Sequence, residues 1–195
     1  MRNPLLRLLT AATLAICATS LHAQGAATRI VVPFAPGGAQ DVIGRYLAER
    51  LATRTGSTVI VENKAGAGGV IAADAVAKAP ADGRTLLLAT GGAITIAPHL
   101  NPKLGYDPRK DFVPVALVAD TPMTLATRAQ SPYTNVADVL KDARDNPGRV
   151  SYASTGNGTI SHLTGELLAQ SAGVQLLHVP YRGAGPAITD LLGGQ

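Results

Sequence analysis

Arg29-Ile30-Val31-Val32-Pro33-Phe34-Ala35-Pro36-Gly37-Gly38 is the stretch whose reading decides the fold. Its first half is an apolar, β-branched run, and Ala35-Pro36-Gly37-Gly38 is a turn. Beyond it Val42, Ile43, Tyr46, Leu47 and Leu51 recur at helical spacing until Gly56 stops the helix. Strand, glycine turn, helix is thus the founding unit.

The unit repeats along the chain. A strand over 58–62 leads through Asn63-Lys64-Ala65-Gly66-Ala67-Gly68-Gly69 into a helix over 70–79 that Pro80 ends. A third strand over 85–89 opens into Thr90-Gly91-Gly92-Ala93. Pro102, Pro108 and Pro114 interrupt the rhythm, which restarts after Asp120-Thr121-Pro122. The pattern then predicts a strand over 123–127 and a helix capped by Asn135. A strand over 150–152, a helix over 161–172, a strand over 176–180 and a last helix with Pro186 in its first turn complete it. Strands that alternate with helices require crossovers and therefore a mainly parallel sheet. Their continuous apolar character matches strands covered on both faces. The restart near Asp120 divides the chain into one Rossmann-like lobe over 24–120 and a second over 121–195.

Residues 1–23 read as a targeting segment, not as part of either lobe. Arg2 and Arg7 supply the positive start, Leu8 to Ala18 the apolar stretch, and Ala23 the small residue before the expected cleavage. The stretch is too short to span a bilayer as a helix. Ile16 is bulky where a lipid-anchored Cys17 would need a small neighbour. Removal of this segment leaves 172 residues without cysteine and a surplus of two cations, against +4 for the whole chain. With no Trp, few aromatics and scattered cations, the chain lacks the stacking platform and basic patch of a nucleic-acid binder. No Cys/His spacing suits a metal, and no cofactor is expected.

Four loops share one design, in which a strand end is followed by glycines and a helix start: 35–39, 90–93, 154–159 and 181–185. In open parallel sheets ligands sit beyond the carboxyl ends of the strands. Glycine lets the backbone approach closely, and free N–H groups at a helix start attract anions. The candidate ligand-binding residues are Pro36, Gly37, Gly38, Asp41, Thr90, Gly91, Ser154, Gly156, Asn157, Gly158, Tyr181 and Arg182. Arg182 suits bidentate carboxylate contact, and the neutral donors around it suit a small carboxylate. Asp41 has a second reading, as a carboxylate in the first turn of its helix.

Catalytic motifs are poor. The stretches 66–71 and 156–161 each lack the third glycine of a dinucleotide fingerprint. Glu62 stands where a ribose-binding acid would, which keeps a Rossmann-type dinucleotide-binding enzyme as an alternative. There is no Walker sequence and no nucleophile elbow. His162 and Glu166 are four apart on one helix, but two groups do not make a metal site. His162 reads as a hydrogen-bonder at the helix start.

The motifs in their order resemble those of Bug-type receptors, the solute-binding proteins of tripartite tricarboxylate transporters. Residues 30–38 with Asp41, 61–69, 151–159 with His162, and 179–183 running on to Leu191-Leu192-Gly193-Gly194-Gln195 carry the resemblance. It implies a periplasmic-binding-protein (Venus flytrap) fold of class α/β, closing on a small carboxylated solute in the periplasm. The solute would be a di- or tricarboxylate, an acidic amino acid or an aromatic carboxylate, passed to the membrane permease subunits of the transporter. The protein would be a receptor, not an enzyme. Ala65 stands where members of the family often have Pro, in a loop taken to lie away from the cleft. Family members are longer, so the resemblance also implies C-terminal truncation, with both lobes incomplete. A non-functional receptor fragment is the corresponding alternative.

Overall fold

The computed structural model describes residues 27–195; the segment read as a signal, 1–23, lies outside them. Two parallel sheets carry the fold. The first has strands β1 (Thr28–Val32), β2 (Val59–Asn63) and β3 (Thr85–Leu87) in the order β2-β1-β3. The second pairs β4 (Ser151–Ser154) with β5 (Leu177–Pro180), Tyr152 lying beside His178.

The founding stretch forms the core of the first unit. Ile30, Val31 and Val32 are essentially inaccessible to solvent. Helix α1 (Ala39–Thr55) packs on them, with Gly44 close against the Val32 side chain and Gly56 ending the helix in a left-handed conformation. After β2 a short 3-10 turn (Ala67–Gly69) leads into α2 (Val70–Ala77), whose Ala72 and Ala73 are fully buried. Small side chains on that face allow the helix to lie close to the sheet.

Residues 92–96 following β3 form a π-helical turn that continues into α3 (Ala97–Leu100). Tyr106 fills the space below it, donating its O–H to the Ala93 carbonyl at 2.7 Å and meeting Phe112 edge-on. In the second unit, α4 (Val136–Asp145) is capped by Asn135 Oδ1, which accepts the Asp138 N–H at 3.1 Å. Helices α5 (Ile160–Ala172) and α6 (Ala184–Gly193) follow β4 and β5, so each strand of this sheet leads through a glycine loop into a helix.

One expected element is absent. Residues 123–127 form no strand, and the segment 113–130 is exposed throughout. The sequence has the right apolar content, with Met123 and Leu125 both more than half exposed. A strand, however, exists only where a neighbour supplies hydrogen bonds. Neither sheet reaches this segment among the described residues.

Candidate functional site

The segments that follow β1, β2, β4 and β5 meet at one cavity of about 330 Å³, which the loop 90–93 after β3 does not line. Phe34, Ala65, Gly66, Ala67, Gly68 and Ile71 line it from the first sheet's side. Thr155, Gly156, Asn157, Pro180, Tyr181 and Arg182 line it from the second. That size is at the small end of ligand pockets, which run ~300–1,000 Å³, and suits a molecule of few carbons. The lining holds one formal cation, Arg182, and no carboxylate. Arg182 is exposed and its guanidinium has no ion-pair partner among the described residues. Its main chain is committed: the Arg182 carbonyl accepts the Ala35 N–H at 2.8 Å and ties the two sides together.

The first side's wall is built from unusual backbone. Gly66, Ala67, Gly68 and Gly69 all have positive φ, and Ala67 at 48° is the one non-glycine among the described residues to do so. A residue with a Cβ in the left-handed region costs about 1–2 kcal/mol, so this turn is held by its surroundings. Gly68 makes one of the close approaches between the sides. A Cβ there would stand 2.5 Å from the Asn157 carbonyl oxygen. A Cβ on Gly92 would in turn stand 2.7 Å from the Gly68 carbonyl oxygen.

The sequence-predicted residues fall into distinct positions. Gly156, Asn157, Tyr181 and Arg182 are on the cavity wall. Tyr181 contributes its ring, because its hydroxyl donates to Asp190 Oδ2 at 2.9 Å. That carboxylate acceptor, with burial adding, raises the phenol's pKa and keeps the proton in place. Ser154 and Gly158 are behind the loop: Ser154 Oγ is buried 2.6 Å from His178 Nε2, and the Gly158 N–H donates to His162 Nδ1 at 3.2 Å. Pro36, Gly37 and Gly38 pack against Ala184 and Gly185, forming a seam beside the cavity. Gly91 lies against Ile160. Thr90 Oγ1 is buried without a hydrogen-bond partner among the described residues and stands 3.7 Å from where a Cβ of Gly69 would lie.

Asp41 is the buried anchor of the seam. Its carboxylate accepts from Arg45 Nε at 3.0 Å, Asn63 Nδ2 at 2.9 Å and the Gly37 N–H at 3.1 Å. Asn63 Nδ2 also donates to the Phe34 carbonyl, so one carboxylate and one amide fix the ends of both first-side loops. The Arg45 bond, above all, holds the Asp41 carboxyl below the usual carboxylate range against the opposing effect of burial, and Asn63 and Gly37 reinforce it. A lowered folded pKa contributes stability that is present above the unfolded value of ~3.9 and is lost as pH falls through the folded value. Asp41→Asn is expected to destabilise the protein at pH 7 by about 1–3 kcal/mol, because buried donors lose an acceptor. Thermal melts of both proteins should converge as pH is lowered through that window. A gap unchanged down to pH 3 would refute the linkage.

The loop 63–69 was missed as a site by sequence reasoning. Ala65, taken to lie away from the cleft, is on the cavity wall, as are Gly66, Ala67 and Gly68. The available signal was the same strand–glycine–helix design seen in the four loops singled out. As a dinucleotide fingerprint the stretch fails, for want of the third glycine. Phe34 and Ile71 resemble ordinary core residues in sequence, and nothing in the pattern marks them as lining.

The two parallel sheets with a polar cavity between their carboxyl-end loops define a binding protein of the α/β, periplasmic-binding class. Residues 43–195 match the family described as "Tripartite tricarboxylate transporter family receptor". The chain belongs to that family. It is 41% identical over 167 residues to BugT of Bordetella pertussis, and 47% identical over 165 residues to a protein from the tcbD–tcbE intergenic region of a Pseudomonas strain. Those matches take in 85% of this chain and 51% and 49% of the relatives, so the chain spans about half the length of the curated relatives it matches. Among solved structures it is similar to periplasmic binding protein BugD, with 43% identity and TM-score 0.81 over 87% of this chain and 56% of that one. It is similar also to a Rhodopseudomonas palustris protein solved with adipate (37%, TM-score 0.82, 87% and 57%). MatC of the same organism, solved with bound malate, is a third (37%, TM-score 0.79, 87% and 58%). The relatives and the fold class thus agree on a solute-binding receptor.

Proposed function

We propose that the chain is the solute-capturing part of an extracytoplasmic receptor for a small organic anion. Residues 24–120 and 121–195 act as its two lobes, exported to the periplasm behind the segment 1–23 and serving the permease subunits of a tripartite tricarboxylate transporter. The observation that supports it most is the cavity itself: small, placed at the carboxyl ends of parallel strands, and lined by one unpaired cation with no opposing carboxylate. The adipate and malate seen in two relatives belong to the same chemical class. A dinucleotide needs a far larger groove than 330 Å³ and a third fingerprint glycine. A dicarboxylate needs neither.

The test is a panel of malate, adipate, succinate, citrate, glutamate and benzoate, read by thermal shift and calorimetry. An acid at a hundredfold excess over its Kd is expected to raise Tm by about 5–10 °C for a chain of this size. Arg182→Ala is expected to weaken the best acid by about 10–100-fold, as for loss of a charge-assisted hydrogen bond. No shift from any acid, together with binding of NAD, would replace this reading with the enzymatic one.

A further inference from the structure

The loop 154–159 forms the second side's wall, and two imidazoles outside the cavity fasten it. His178 Nε2 stands 2.6 Å from Ser154 Oγ, which also accepts the Gly156 N–H at 3.1 Å. His162, in the first turn of α5, accepts the Gly158 N–H at Nδ1. Its own main-chain N–H points back to Thr159 Oγ1 at 3.4 Å, so side chain and cap serve each other. The two rings stack with centroids 4.1 Å apart and planes 24° from parallel. Tyr152 stacks on the far side of this pair, 5.0 Å from the His178 ring. Gly156 and Asn157, which face the solute cavity, are therefore suspended between two imidazole-held points.

We propose that His162 and His178 are positioning residues for the solute-facing loop, and that the loop keeps its shape only while His162 Nδ1 carries no proton. The consequence for capture rests on the receptor reading above; the coupling of ring to loop does not.

An imidazole nitrogen accepts a hydrogen bond only when unprotonated. A proton on His162 Nδ1 would set one N–H donor against another at Gly158. It would also place a cation at the N-terminal end of α5, where the helix dipole opposes it. The titratable and charged groups facing the pair are few. Glu166 on α5 has its carboxylate 4.0 Å from His162 Nε2, but it is half-exposed and already accepts the Tyr152 O–H at 2.7 Å. From β4 comes Tyr152, whose pKa burial and Glu166 raise, leaving a neutral hydroxyl. Asp190 of α6 accepts the Tyr181 O–H. Burial, then the neighbouring His162, lowers the His178 pKa, so the Ser154 anchor stays neutral at neutral pH. The contact that a proton on His162 Nδ1 would break is the one at Gly158.

The experiment follows the amide signals of Gly156 and Gly158 in the 15N-labelled chain from pH 8 to pH 5, with Val31 of β1 as a control. Between pH 8 and pH 5 the Gly158 signal is expected to move, as the Gly158–His162 hydrogen bond is lost. Its exchange protection, corrected for intrinsic rate, is expected to fall about tenfold as one hydrogen bond is lost. Val31 should be unaffected. His162→Asn, whose Oδ1 remains an acceptor at every pH, is expected to keep Gly158 protected throughout, whereas His162→Ala loses protection even at pH 8. His178→Gln retains a donor toward Ser154 and should leave Gly156 unchanged at pH 8. A Gly158 amide that stays still while the ring signals titrate, or that moves equally in His162→Asn, overturns the proposal. In parallel, malate and adipate are titrated at pH 8 and pH 6. The wild-type chain should lose about tenfold in affinity and His162→Asn less than about twofold, the difference of one hydrogen bond. An equal loss in both proteins severs the ring from capture. If neither acid binds at pH 8, the receptor reading falls, and the amide titration decides the coupling alone.

Discussion

Gly68→Ala is expected to weaken solute binding by roughly 30–4,000-fold while the melting temperature changes by only a few degrees. Gly68 adopts φ +63°, where a Cβ costs about 1–2 kcal/mol. The added methyl would stand 2.5 Å from the carbonyl oxygen of Asn157, a backbone atom with no rotamer to yield. Overpacking of this kind costs a further 1–3 kcal/mol or so, giving roughly 2–5 kcal/mol against the joined state of the two walls, at tenfold per 1.4 kcal/mol. The strain is relieved by moving the turn 65–68 away from the loop 155–157, so the fold survives while the cavity loses its closed form. Calorimetry with the most strongly stabilising acid of the panel measures the loss. Binding within threefold of wild type would mean that the solute does not sit between these two loops.

Gly165→Ala is expected to be strongly destabilising, although it places the best helix former in the middle of α5. Helix propensity favours the change by up to about 1 kcal/mol. Against it, a Cβ at Gly165 would drive directly into the Tyr152 ring. That ring is not a free end. Its hydroxyl is held by Glu166 Oε1 and its face stacks on His178. Displacing it costs the packing penalty of about 1–3 kcal/mol and the stack in addition, so the clash outweighs propensity. Chemical denaturation should show a lower midpoint with the slope unchanged. A midpoint equal to or above that of wild type would show that α5 rides further from β4 than the geometry gives. Gly165→Ser is expected to fail in the same direction, since it adds a Cβ at the same point.

Much of the fold was legible because it depends on local chemistry. Ile30-Val31-Val32 announces a buried strand, Gly56 a helix end, and Asn135 a cap, and all three serve as read. The segment 123–127 shows the limit of that method. Its residues favour a strand, but pairing is a property of a neighbour, and composition holds no record of one. The site was legible to the level of loops and not of roles. Glycines before a helix mark where backbone comes close, yet they do not say which face of the loop meets the solute. Ser154 and Gly158 read as candidate ligands in sequence, and in three dimensions their hydrogen bonds run to His178 and His162. Ala65 to Gly68 carry few polar side chains and so attract no attention as a site, although a wall made of main chain needs none. His162 shows the reverse. Its reading as a hydrogen-bonder at a helix start holds, and only the ring of His178 stacked on it reveals what that bond controls.

The neutralised state of Asp41 bears on how a solute is chosen. With its carboxylate cancelled by Arg45 beneath the seam, the near field at the cavity mouth reduces to that of Arg182. Attraction by one unit charge acts about twice as strongly on a dianion as on a monoanion and fades over about 8 Å in physiological salt. On the receptor reading proposed above, a solute held by its carboxylate at Arg182 would meet the apolar side chains of Phe34 and Ile71, which line the same cavity, with its carbon skeleton.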